Sequence, residues 1–334
     1  MKKIFITLLA LGMAVSIFPQ TKVGTTAANF LSIPVGPRAS AMGGAFSAIA
    51  NDATTSFWNP AGLSRLSRSE FTATTAKWLV GTRLNWVGLA FKFDDDNAIG
   101  ISVNQLDYGE EEITTAEKPN GIGENWSASD LAISLSYSRN LTDRFSIGGS
   151  VKYVTQTIWN ESATAFALDI GLLFQTQLEG LKLGMNISNF GSEMKLDGKD
   201  LLQPIDIDPS KAGNNSNISG QLLTDSWPLP LTFTVGVGYD VVNNEDWQIT
   251  TAVDALIPNN QTTYGNVGLE VTWDKLISLR GGYNSLGKKD AQEGITAGIG
   301  VQYDFGGFFA KFDYSYADFG IFDPISRFAL SVGL

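Results

Sequence analysis

The feature that most constrains this chain is a recurring alternation of apolar with small or polar side chains, in runs of about ten residues. The clearest run sets Ile295, Ala297, Ile299, Val301, Tyr303 and Phe305 against Thr296, Gly298, Gly300, Gln302 and Asp304. Successive side chains of a strand point to opposite faces, so one face is wholly apolar and the other small or polar. The same pattern sets Leu131, Ile133, Leu135 and Tyr137 against Ala132, Ser134, Ser136 and Ser138, and it returns over 231–240. Strands are expected near 69–79, 83–93, 97–107, 128–139, 144–157, 164–176, 180–190, 230–241, 246–257, 263–273, 276–286, 293–305, 307–318 and 326–334. That makes about 14 strands, each near the ~9–11 residues of a tilted transmembrane strand.

A soluble sandwich also alternates, so other features must decide. These strands are about twice the ~5–6 residues of an ordinary sheet. Aromatics fall near strand ends (Trp78, Trp159, Tyr239, Trp273, Tyr303, Tyr316), where an interfacial girdle would lie. Connection length also follows parity. Turns after even-numbered strands are short (94–97, 140–143, 178–180, 243–246, 274–275, 306–307). Those after odd-numbered strands are mostly longer (108–127, 159–163, 191–229, 258–262, 287–292, 319–325), with 80–82 the exception. Short inner turns and long outer loops are the habit of outer-membrane barrels, and an even strand count puts both termini in the periplasm. The last strand turns Phe328, Leu330, Val332 and Leu334 one way, as a barrel-assembly signal does. The expected fold is therefore an all-β, 14-stranded antiparallel transmembrane barrel over 69–334.

Export is expected as well. Lys2 and Lys3 precede an apolar run from Ile4 to Ile17, and Phe18, Pro19 and Gln20 break it. This is the pattern of a cleavable signal peptide over 1–20, and it is too short to span a bilayer as a helix. Loss of its two lysines takes the net charge from −11 to −13. An acidic chain without a basic run is no partner for nucleic acid. The absence of histidine removes the usual general base and the commonest metal ligand. The absence of cysteine removes disulfides and a lipoprotein anchor. No catalytic residue, metal ligand or cofactor is assigned. The Asp94–Asp95–Asp96 run lacks calcium-loop spacing and reads as a solvated turn.

Residues 21–68 do not alternate. They are rich in small residues, as in Ala39–Ser40–Ala41–Met42–Gly43–Gly44–Ala45–Phe46, and punctuated by Asn59–Pro60, after which a short helix over 61–65 can begin. Such a segment suits the confined interior of a barrel, as a plug that either fills the lumen or gates a ligand path. Phe30–Leu31 through Gly36, Arg38–Ala39, Met42–Gly43–Gly44–Ala45–Phe46, Asn51–Asp52–Ala53 and Trp58–Asn59–Pro60–Ala61–Gly62–Leu63 resemble the N-terminal signature of the PorV/PorQ family. More distantly the chain is similar to FadL-type fatty-acid transporters, which share an Asn-Pro-Ala turn and a 14-stranded barrel with an internal hatch. The resemblance implies an outer-membrane component of type IX secretion. Such a protein binds cargo carrying a C-terminal sorting domain and passes it to surface attachment, beside a larger translocon. It marks Gly43, Gly44, Asn51, Asp52, Trp58, Asn59 and Pro60 as the plug motif.

With apolar faces toward membrane lipid, Lys152, Asp169, Glu270, Gln302, Asp304, Lys311 and Asp313 line the lumen. Mixed signs allow pairing, Lys152 with Asp169 and Lys311 with Asp304, and do not describe an ion-selective pore. The 191–229 connection, lacking strand signals, is either a partner contact or disordered, with Ile205, Ile207 and Trp227 the candidate contacts. The alternative function is a FadL-like channel for hydrophobic small molecules, with Phe46, Phe57 and Trp58 as apolar walls.

Overall fold

The computed structural model describes residues 24–206, 208, 210, 218–288 and 291–334. The signal-peptide stretch, Ile207, Pro209 and the 214–217 polar run lie outside the described residues. The fourteen long strands form in order. They are β1 (Glu70–Lys77), β2 (Arg83–Lys92), β3 (Asn97–Glu112), β4 (Asn125–Thr142), β5 (Phe145–Ile158), β6 (Glu161–Gln175) and β7 (Leu181–Gly191). Then follow β8 (Thr232–Asn243), β9 (Trp247–Pro258), β10 (Tyr264–Trp273), β11 (Ile277–Leu286), β12 (Ile295–Asp304), β13 (Phe309–Ala317) and β14 (Ile325–Gly333). Each pairs antiparallel with its successor, and β14 returns to β1 from Glu70↔Gly333 to Ala76↔Arg327. The sheet is closed, so every long strand satisfies its backbone groups on both sides without a free edge.

Burial runs opposite to that of a soluble protein. On β6, Ala163, Ala165, Ala167 and Asp169 are buried, while Phe166, Leu168 and Ile170 stand exposed. On β12, Thr296 is buried while Ile299, Val301 and Tyr303 are exposed. Water would penalise such an apolar exterior, whereas a bilayer is its natural solvent. Among the described residues no helix is long and apolar enough to cross a membrane.

The interior is occupied. Most residues from Ala28 to Leu66 are buried, through a 3-10 turn at Asn29–Ser32, short helices at Pro37–Ala41 and Thr55–Trp58, and a 3-10 turn at Pro60–Arg65. Pro60 takes the first position of the last turn, where its missing N–H costs nothing, and the Asn59 side chain accepts from Ala61 N. Inward-facing glycines make room for this backbone. A Cβ on Gly148 of β5 would overlap the Pro60–Ala61 peptide, and one on Gly282 of β11 would overlap Met42 and Gly43.

Four expectations need correction. The 191–229 connection contains local strand structure: Met194–Lys195 pairs with Ser226–Trp227, Leu202–Ile205 pairs with Ile218–Gln221, and Asp197–Gly198 adds to β6. These pieces are too short to show an alternation. The 108–127 connection is β at both ends, because β3 runs on to Glu112 and β4 begins at Asn125. Trp78 does not join an outer girdle: it packs edge-on to Phe319 beneath the Arg327 guanidinium, facing the interior. Lys311 pairs with Asp313 at 3.2 Å, while half-exposed Asp304 at the rim takes Arg68. Lys311 stands opposite Gln302 in the register, while Asp304 stands opposite Phe309 nearer the turn and within reach of Arg68.

Candidate functional site

The N-terminal segment meets the wall at two levels of different chemistry. At the short-turn end, Arg38 donates from Nε and Nη2 to both Glu270 oxygens on β10, at 2.8 and 2.7 Å. Its Nη1 reaches Asn51 at 2.6 Å and Asp52 at 3.1 Å. Glu270 also pairs with Arg280 of β11, and Arg280 Nη1 binds Asp313 of β13 at 2.6 Å. One connected network of alternating charge thus ties the segment to three strands. Burial works against the charged Arg38, but Glu270 outweighs it and holds the guanidinium above its ordinary pKa. Burial also opposes the charged Asp52, yet Arg38 and Lys311 pull its carboxyl below the usual value.

Deeper in, the contacts are to backbone. Asp254 of β9 accepts from Phe46 N and Ser47 N at 3.0 and 2.9 Å. Thr296 of β12 accepts from Gly43 N and donates to Ala41 O. Asn59 donates to Ser47 O within the segment at 2.8 Å and to Leu172 O of β6 at 3.1 Å. Trp58 donates its indole N–H to Val35 O. Gly43 and Gly44 take positive φ, 66° and 79°, a region open to glycine at no steric cost.

Two cavities flank these contacts. One of about 300 Å³ opens at the short-turn end beside Arg38, Asp52, Glu270, Gln302 and Lys311. The other, of about 220 Å³, lies at the end bearing the longer connections. It is lined by Phe57 and Trp58, by Lys152, and by side-chain amides including Asn186, Asn266 and Asn284. Phe46 is fully buried and does not line it. Lys152 Nζ lies 2.6 Å from Asp169 and donates to Asn189, whose N–H returns to Asp169 at a bulge between β6 and β7.

Of the sequence candidates, the structure gathers Asp52, Glu270, Lys311 and Asp313 into one network and Lys152 with Asp169 into another. Asp304 belongs to neither. Ile205 and Trp227 are exposed; Ile207 lies outside the described residues. Arg280 and Asp254 were absent from the sequence candidates, although both are inward-facing charges on otherwise apolar or small strands. Arg38 was quoted only within the N-terminal signature. Asp94 accepts from Asp96 N, Asn97 N and the Asn97 side chain, which holds its carboxyl below the ordinary range. Among the described residues no group of acidic side chains is arranged to hold a metal.

The class this fold defines is the closed 14-stranded antiparallel β-barrel, which solved FadL-type channels share. The CymD monoaromatic hydrocarbon channel superposes with a TM-score of 0.58 at 12 % identity, over 90 % of this chain and 96 % of that one. The Pseudomonas putida toluene transporter TodX gives 0.54 at 14 %, over 89 % and 97 %. A Pseudomonas aeruginosa FadL homologue gives 0.52 at 12 %, over 95 % and 98 %. At these identities the likeness is one of fold. No curated protein matches the sequence. Residues 18–208 match the family described as type IX secretion system protein PorV, and the chain belongs to that family.

Proposed function

We propose that this protein is a cargo-binding component of type IX secretion. It receives secreted proteins through a shared C-terminal sorting domain and hands them to surface attachment beside a larger translocon. The family match carries this reading, because it runs from the N-terminal signature into the 191–229 connection. In it both termini face the periplasm and the connection lies outside the cell. Residues 21–68 act as a plug that closes the lumen, supported by the burial of Ala28–Leu66 and the charge network at Arg38. Exposed Leu202, Ile205, Leu222, Leu223 and Trp227 offer apolar contact area to a partner. The lumen being occupied by chain, cargo would dock on the outer surface instead of passing through.

Affinity purification of the tagged protein from native outer membranes, in mild detergent, tests the proposal. The expected result is co-purification of secreted proteins with a common C-terminal domain and of a very large barrel. Deletion of 192–226 should abolish that capture and leave heat-modifiable migration on gels intact. Captured fatty acids or aromatic hydrocarbons without a protein partner would instead support a hydrophobic-compound channel, the reading that the fold neighbours favour.

A further inference from the structure

The N-terminal segment runs from one end of the lumen to the other. Its last residues lie at the short-turn end, where Arg65 donates to Thr142 O and Asp143 O of the β4–β5 turn and Arg68 pairs with Asp304. Its first described residues lie at the opposite end, among the longer connections. Gly24 N donates to Asn260 O, Ala27 N to Pro228 O at 3.0 Å, and Ala28 N to Gln156 Oε1 at 2.9 Å. Asn260 Nδ2 donates in return to Thr26 Oγ1 at 2.7 Å and to Asn29 Oδ1 at 3.1 Å. Residues 24–29 therefore touch the end of β5, the 191–229 connection and the 258–262 connection together.

An apolar seat lies beneath these hydrogen bonds. Met194 and Leu229, near the two ends of the 191–229 connection, are 1 % and 3 % exposed and share one buried cluster with Ala28, Phe30, Leu31 and Ile33. The neighbouring strand β6 gives that cluster Ala163, Ala165 and Ala167, so bulk has to come from the segment, above all from Phe30. Farther out the connection loses this cover, and Leu202, Ile205, Leu222 and Leu223 are exposed. Its two arms, Met194–Lys195 and Ser226–Trp227, pair over two residues, and a ribbon that short is marginal alone. The outgoing arm has a second tie where Asp197–Gly198 joins β6, and the returning arm is tied by Ala27 at Pro228.

We propose that residues 24–33 are a strap that reaches the mouth of the lumen and clamps the root of the 191–229 connection, so that the N-terminal segment sets where the exposed tip of that connection stands. The strap deepens the cargo-binding reading, from which it takes the outer position of the connection. It parts from that reading in one respect, because it puts Gly24 on the same side of the membrane as the connection. The clamp itself belongs to the folded chain and depends on neither orientation nor partner.

Hydrogen–deuterium exchange on the detergent-purified full chain tests the clamp. Phe30→Ala removes the apolar bulk, and Asn260→Ala removes the hydrogen bonds to Thr26 and Asn29. Each should speed exchange in peptides covering 194–196 and 225–229 about tenfold or more, while a peptide from β12 keeps its native rate. Heat-modifiable migration reports folding of both, and the second variant decides if the first misfolds. Native exchange at 225–229 in a folded variant would overturn the clamp. Placement is read by labelling intact cells with a membrane-impermeant maleimide, since the chain has no cysteine of its own. Gly24→Cys, at an exposed position with open space around it, should be labelled along with Leu223→Cys at the tip. Labelling of Leu223→Cys alone would overturn the strap; labelling of neither would overturn the outer position of both, and with it the reading above, leaving the clamp to the exchange result.

Discussion

The two ends of the lumen were built from similar strands and came out differently. At the short-turn end the inward residues are charged and paired, and Arg38 bridges Asp52 and Glu270 while Arg280 links Glu270 to Asp313. At the other end neutral amides stand among Lys152, Asp254, Lys288 and Glu293, and Asn186 keeps an unpartnered Oδ1. A saturated ionic network makes a rigid anchor, because removing any member strands a buried charge. Neutral amides hold the wall less firmly, because removing one leaves no buried charge without a partner. The N-terminal segment is thus tied by charge at one level and by neutral contacts at the other.

The largest expected effect is steric. Gly282→Val would force a side chain into the Met42–Gly43 backbone, which cannot move aside, so the segment should leave the lumen or the barrel should fail to fold. Limited proteolysis within 38–46 reports the first outcome and loss of heat-modifiable migration the second. Gly307→Val, at a turn with open space around it, should do neither. Unaltered proteolysis in the Gly282 variant would mean that close backbone approach does not hold the segment.

Next comes the anchor. Arg38→Ala leaves Glu270 and Asp52 short of a partner and should cost about 3–5 kcal/mol, seen as a lowered midpoint of the heat-modifiable transition. Arg38→Lys keeps the charge but loses the two-pronged contact with Glu270, for about 1.5–3 kcal/mol. Equal effects of the two would show that geometry, not charge, dominates the anchor. Asn186→Leu, at the end bearing the longer connections, should leave that midpoint nearly unchanged; a large drop would erase the distinction between the two ends.

The smallest effect is one of pH. The folded-state pKa of Asp52 lies below its ordinary value, so its contribution is fully present above the unfolded carboxylate value of about 3.9 and is lost as pH falls through the lower folded value. The share of the midpoint due to Asp52, read as the difference between the native chain and Asp52→Asn, should therefore hold above about pH 5 and decline below about pH 4. In Asp52→Asn, part of that acid-side decline should disappear.

Much of the barrel was legible because its signal is local. Alternation at Thr296–Gly298–Gly300 against Ile295–Ala297–Ile299 requires only that neighbouring residues face opposite ways, and most strand edges fell within a few residues of those observed, the end of β3 at Glu112 excepted. The resemblance carried by 30–63 was legible too, and the family match agrees with it. What escaped was non-local. Trp78 sits at a strand end, where an aromatic suggests a girdle, yet only the packing of Phe319 and Arg327 turns it inward. Short loop strands such as Met194–Lys195 exist only through a partner some thirty residues away. Asp254 gave no local sign that it would receive two N–H groups from a segment some two hundred residues earlier.

By itself, then, the sequence determined the strand content, the antiparallel order and the apolar exterior. Each follows from the alternation of side chains and the length of the turns, which act between neighbours. Only the tertiary structure decided which inward groups meet. Barrel closure and the path of residues 28–66 bring Arg38, Glu270, Arg280 and Asp313 together, and both depend on contacts between residues remote in the chain.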